Sequence, residues 1–203
     1  QKKKGWDNIE YDDRTWKTVV EVPAPFGSLS AQNLPPMRIC ESVKPVKMWE
    51  PEKGIYVIDF GKNITGFARF KIIGKKGQSI ILNFNEKLLN DSTLDLNNSH
   101  SHTFGRFQKE IFILNGEGEE TFEPRFTYHG FRYVQVEGLL SKPDIDCISA
   151  QSVHTDFQYA GEFECSNNRI NQLHKAVQRT LLNCAHSMPG EEPAREKMGW
   201  NQD

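Results

Sequence analysis

The 203-residue sequence predicts a mainly β protein, an antiparallel β-sandwich followed by one helix. Three observations carry this reading. From Gly54 to about Thr155, short runs of Ile, Val and Phe are separated by Gly-, Asn- and Lys-rich breaks, the pattern of strands joined by tight reversals. After Glu164 the apolar spacing changes to three and four residues, the period of an amphipathic helix. A hydrophobic share of 37% against 26% charged residues is that of an ordinary globular chain with a core to bury.

The elements follow in order. Residues Gly5 to Trp16 pair Asp and Asn with Trp6 and Trp16, which reads as turns over packed aromatics. Thr18 to Val22 is a β-rich run closed by Pro23 and Pro25, and Leu34 to about Val46 is a further extended segment. The opening reads as the end of a β domain whose beginning precedes Gln1. Ile55 to Phe60 is a buried-strand run, Gly61 to Asn63 a turn, and Gly66 to Ile73 an alternating strand. Gly74 to Gly77 is a hairpin turn with Ser79 to Phe84 as its return strand. Asn90 to Gly105 is a polar loop; Phe107 to Leu114 resumes a strand, and Asn115 to Gly118 turns again. Tyr128 to Val136, Ile145 to Thr155 and Tyr159 to Glu164 are three more strands. Ser166 is the expected N-cap, and Ile170, Leu173, Val177, Leu181 and Cys184 define the apolar face of the helix.

Several function classes lose support. A formal net charge of -2 favours neither nucleic acid nor an anionic membrane, and no apolar run approaches eighteen residues, so no membrane insertion is expected. The start, Gln1 followed by three lysines, is not a signal peptide as it stands. Gln rather than Met at position 1 suggests processing or trimming, which tilts localisation toward the periplasm or exterior over the cytoplasm. Cys40, Cys147, Cys165 and Cys184 form no C-x-x-C pair and read as free thiols. His100 and His102 lie in the polar loop without a third ligand, so no metal and no cofactor is expected. His129 and His154 read as hydrogen-bonded strand residues, His186 as a packed loop residue, and Trp6, Trp16 and Trp49 as core aromatics. There is no nucleophile elbow and no phosphate loop.

Chemistry concentrates at the end of the chain, from Pro189 to Asp203. Pro189 and Pro193 keep Glu191 and Glu192 on a loop. Ala194 to Met198 suits a helical turn, which would set Glu196 and Trp200 on one face with Asp203 close behind. A carboxyl group, an aromatic plate and further carboxylates at one spot are what glycosidic cleavage needs. One acid protonates the leaving oxygen while others hold hydroxyls and developing positive charge.

Pro189, Pro193, Arg195, Glu196, Lys197, Met198 (where the motif has Leu), Gly199 and Trp200 align with a motif of the form P-T-D-C-P-H-R-E-K-L-G-W. The stretch resembles the catalytic motif of the bacterial α-L-rhamnosidases. Two further blocks, Ile58 to Phe67 and Phe122 to Tyr133, resemble the same family in the same order. The resemblance implies that Glu196 is the proton donor, that Glu191, Trp200 and Asp203 bind substrate, and that the helix and motif open an (α/α)6 catalytic barrel. It implies domains at 1–45 (end of an accessory β domain), 46–156 (β-sandwich) and 157–203 (truncated barrel). It also implies an inverting mechanism, whose base is a Glu beyond Asp203. The expected partners are a rhamnose-containing glycoside or polysaccharide and the remainder of the same polypeptide, and the chain alone is expected to be inactive. Glu191 stands where the family has Asp, Glu192 where it has Cys and Gly190 where it has Thr. The extra methylene at Glu191 leaves another sugar open. The alternative is a non-catalytic carbohydrate-binding or architectural β-sandwich.

Overall fold

The computed structural model describes residues 5–97, 108–190 and 192–199. The chain divides into two compact units, Gln1–Asn33 and Leu34–Asp203. In the first unit the described residues form turns: Asn8 N donates to Gly5 O, Tyr11 N to Asn8 O and Trp16 N to Asp13 O. Thr18 to Val22 is not a strand. Its valines are exposed (Val19 91%, Val20 82%), because a β-rich run without a partner ladder has nowhere to place its backbone bonds. Trp6 and Trp16 are not core residues either, at 52% and 46% exposure; Trp16 packs its ring 5.6 Å from that of Tyr11.

The second unit is built on an 8-stranded antiparallel sheet with one helix after it. Its strands are β1 (Met37–Val43), β2 (Lys47–Glu52), β3 (Ile55–Ile73), β4 (Ser79–Asn85), β5 (Lys109–Ile113), β6 (Glu119–Phe122), β7 (His129–Glu137) and β8 (Ile148–Thr155). The order across the sheet is β1-β8-β3-β7-β4-β5, with β2 and β6 also paired to β3. One strand serving four neighbours must bend, and β3 does so at a register shift between Asp59 and Ile64. The expected turn at Gly61 to Asn63 is that bend. Gly61 takes the left-handed conformation (φ 74°), and its N–H donates to Asp59 Oδ1 at 2.6 Å, so the chain kinks without leaving the sheet.

Two other turns reverse the chain without making hairpins. β4 does not return along β3; it pairs with β5 and β7, and β6 pairs with β3 rather than β5. The core sits inside the curl. Phe131 packs 5.9 Å from Phe60 and 4.9 Å from Phe84, with Ile80, Leu82, Val134 and Ala150 wholly buried around them. Trp49 lies over the sheet, its indole N–H donating to Ser92 O at 3.1 Å.

The helix α1 spans Asn168–Asn183. Its N-cap is Asn167, whose side chain accepts from Arg169 N, rather than the neighbouring Ser166; both residue types cap equally well. Tyr159 to Glu164 is not a strand but an extended strap with no ladder to join. Phe163 packs against His174 of α1 at 5.1 Å, and Asn171 bonds both backbone groups of Cys165. The apolar face of α1 is uncovered among the described residues: Ile170 46%, Leu173 63%, Val177 50% and Leu181 66% exposed.

Candidate active site

The segment after α1 is fastened to the sheet at each step. Asn183, the last helical residue, presents Oδ1 to Thr65 N at 3.2 Å and its carbonyl to Thr65 Oγ1 at 2.9 Å. Its Nδ2 donates to Asn63 O at 3.2 Å. A two-by-two ladder follows, β9 (Ala185–His186) against β10 (Met188–Pro189), turned by Ser187 at φ 65°. Thr155, at the end of β8, donates to Ala185 O at 3.0 Å and accepts from Ser187 N at 2.9 Å. The bends at Asn63 and Thr65 in β3 therefore hold the helix end, and the end of β8 holds the loop.

His186 is packed, as a loop residue was expected to be. Its ring stacks on Tyr128 at 4.2 Å and 5°, and Nε2 bonds Val153 O at 3.0 Å. Burial lowers its pKa, against the opposing bond from Val153.

The acid-bearing turn comes next. Glu192 O accepts the N–H groups of Arg195, Glu196 and Lys197 at 3.3, 3.2 and 3.0 Å. Pro193 occupies the first position of the turn, where its missing N–H costs nothing. The turn ends at Lys197, whose φ of 55° is left-handed and costs a non-glycine residue roughly 1–2 kcal/mol. The helical turn expected from Ala194 to Met198 therefore stops short of Met198. Glu196 itself is exposed at the outer side of the turn. Glu191, Trp200 and Asp203 lie outside the described residues, as do His100 and His102.

The inner side of the turn rests on β7. Ala194 is 6% exposed and sits so close that a Cβ on Gly130 would lie 2.9 Å from Ala194 N. Lys197 reaches back to the residue just before the same strand: Nζ donates to Tyr128 O and lies 4.3 Å from the centre of the Tyr128 ring. Burial lowers the Lys197 pKa to about 8, with Glu110 opposing.

Beneath lies a buried polar network. His129 stacks on Phe84 at 4.3 Å, with Nδ1 3.1 Å from Gln108 Oε1 and Nε2 2.8 Å from Glu110 Oε1. Gln108 Nε2 donates to Gly130 O at 2.6 Å, which turns its Oε1 toward the ring. Burial lowers the His129 pKa; the bond to Glu110 opposes this and Lys197 adds to it. The expected hydrogen-bonded strand histidines are thus found: His129 here, and His154, with Nδ1 2.9 Å from Thr155 O.

Gly130 and Tyr128 were not singled out by sequence reasoning. The signal for Gly130 was an isolated glycine inside a strand, which marks close backbone approach. For Tyr128 there was no local signal, because its role depends on a lysine sixty-nine positions away.

A curled β domain that carries an acidic turn against its inner strand β7 is one class of protein, and comparison shows which. Residues 50–155 match the family model of the bacterial α-L-rhamnosidase concanavalin-like domain, and residues 158–203 match that of the bacterial α-L-rhamnosidase six-hairpin glycosidase domain. The chain belongs to the bacterial α-L-rhamnosidase family. It is 35% identical over 199 residues to an α-L-rhamnosidase of Formosa agariphila, covering 98% of this chain and 21% of that protein. The solved α-L-rhamnosidase of Dictyoglumus thermophilum superposes with a TM-score of 0.91 at 40% identity, over 97% of this chain and 22% of that one. That of Streptomyces avermitilis, complexed with L-rhamnose, superposes with 0.90 at 34% identity, over 97% and 19%. The chain thus spans about a fifth of the length of these relatives.

Proposed function

We propose that these residues supply the acid side of an α-L-rhamnosidase active site, cleaving terminal α-L-rhamnose from glycosides or polysaccharides with inversion. The observation that carries the reading is the turn Glu192 to Lys197: it leaves Glu196 exposed while Ala194 packs against Gly130 of β7 and Lys197 bonds Tyr128 just before that strand. A general acid needs that combination of a fixed backbone and an accessible carboxyl. Glu196 protonates the departing oxygen. Glu191 and Asp203 hold ring hydroxyls and the developing positive charge, and Trp200 packs on the sugar.

The family match at residues 158–203 and the uncovered apolar face of α1 support the reading of α1 as the first helix of an (α/α)6 barrel whose later helices cover that face. On this reading residues 46–156 are the sandwich and 157–203 the barrel's opening. Residues 1–45 close an accessory domain, with Met37–Val43 added to the sheet through its pairing with β8. Inversion requires a base carboxylate roughly 6.5–9.5 Å from the acid, leaving room for water. That base belongs to the chain beyond Asp203.

The test is the complete polypeptide containing these residues with p-nitrophenyl α-L-rhamnoside, the first-formed sugar being read by proton NMR. Release of β-L-rhamnose, with no cleavage of the β-D-glucoside, is expected. The α anomer as first product contradicts inversion; indifference to the rhamnoside contradicts the substrate class.

A further inference from the structure

We propose that Lys197 is the positioning residue for the Glu196 carboxyl, its ammonium group seated on the ring and carbonyl of Tyr128 so that the turn carrying Glu196 keeps one orientation on β7. This rests on the assignment of Glu196 as the acid and adds to it the device that aims the acid.

Four observations converge. Lys197 follows Glu196 directly, so any rotation of the turn moves both. Its backbone is left-handed, a conformation a lysine keeps only when surroundings over-determine it; here the backbone N–H is held by Glu192 O at 3.0 Å and Nζ by Tyr128 O. The ring under the ammonium is itself fixed, stacked on His186 at 4.2 Å, while His186 is tied to Val153. Finally, Ala194 against Gly130 gives the turn a second support two residues further on, inside β7. Two supports define an orientation, which one alone does not.

The side chain also sits in a costly place for a cation. Burial brings its pKa down to about 8. Among the described residues, the titratable groups facing it include Glu110 on β5, His129 on β7 and His186 on β9, of which Glu110 favours the charge. An ammonium head directed inward against that cost, rather than extended into water, is spent on holding geometry.

The experiment compares Lys197→Met, Lys197→Arg, Tyr128→Leu and Glu196→Gln in the complete polypeptide. Each is assayed on phenyl α-L-rhamnoside, whose poor leaving group needs a proton, and on 2,4-dinitrophenyl α-L-rhamnoside, whose leaving group does not. For Lys197→Met the expected result is a loss of kcat of about 10²-fold on the phenyl substrate, with little change on the dinitrophenyl one. Lys197→Arg recovers most of the loss, and Tyr128→Leu shows the same selectivity even if Lys197→Met folds poorly. Equal losses on both substrates, or none, in Lys197→Met and Tyr128→Leu overturn the proposal. The underlying reading is judged separately by Glu196→Gln: if that variant shows no dependence on the leaving group, Glu196 is not the acid, whatever Lys197 does.

Discussion

Glu192 organises the turn with a single carbonyl, which accepts three successive N–H groups. Because its support comes from β7, the sharpest test at this scale lies on the strand, not the turn. Gly130→Ala would place a methyl 2.9 Å from Ala194 N, a backbone contact that cannot rotate away. The turn is expected to lift by a few tenths of an ångström or more. Since misplacement by about 1 Å can cost 10²-fold, kcat should fall by one to two orders of magnitude while far-ultraviolet circular dichroism is unchanged. Wild-type kcat in this variant contradicts the docking. Glu196 and Lys197 were legible as letters of a motif, but the helical turn drawn from Ala194 to Met198 does not run past Lys197. Helical spacing holds only while φ stays helical, and Lys197 leaves that region. Gly130 was legible as an anomaly in a strand; its partner, sixty-four residues on, was not.

Strand existence was readable throughout β3, β4, β5, β7 and β8, because alternation and buried runs are local properties. Pairing was not. Gly74 to Gly77 has the chemistry of a reversal, but β7 lies between β3 and β4, so the reversed strand meets a different neighbour. Tyr159 to Glu164 shows the converse: β propensity without an available ladder yields a strap. The bend of β3 makes its own prediction. Gly66 pairs with His129 on one side and Ser152 on the other. A Cβ there would lie 1.8 Å from Gln151 O at a φ of 156°. Gly66→Ala should lower unfolding stability by about 3 kcal/mol, at the upper end for overpacking, read from urea melts of both proteins. A shift within error would mean the strands part more easily than their register implies.

Over the whole molecule, two histidines lie beneath the turn, His129 buried and His186 half-buried, and acid should loosen them. Burial lowers the pKa of both His129 and His186 from the ordinary 6.5. Above pH 6.5 folded and unfolded chains are alike neutral at these sites. Below it the unfolded chain takes up protons that the folded one resists, so stability is lost as pH falls through the depressed values. Thermal melts should therefore show Tm decreasing from pH 7 to pH 5, with a shallower slope in His129→Gln; an unchanged slope contradicts the assignment. The uncovered face of α1 has a consequence for the 203-residue chain studied by itself. Four half-exposed apolar side chains in one stripe should drive self-association. Leu173→Lys with Leu181→Lys should restore a monomer by light scattering, whereas a wild-type monomer would show that the face is tolerated.

The proposed role of Glu196 as proton donor is open to a direct test. The direct measurement is kcat on p-nitrophenyl α-L-rhamnoside for Glu196→Gln beside Glu192→Gln in the complete polypeptide. Glu192 is a near neighbour whose side chain is exposed and 3.8 Å from Arg195, and only its backbone carbonyl holds the turn. The account predicts a loss of about 10²-fold or more for Glu196→Gln and a change within about two-fold for Glu192→Gln, an exposed pair being worth little. Full activity in Glu196→Gln, or an equal collapse in both, would contradict it.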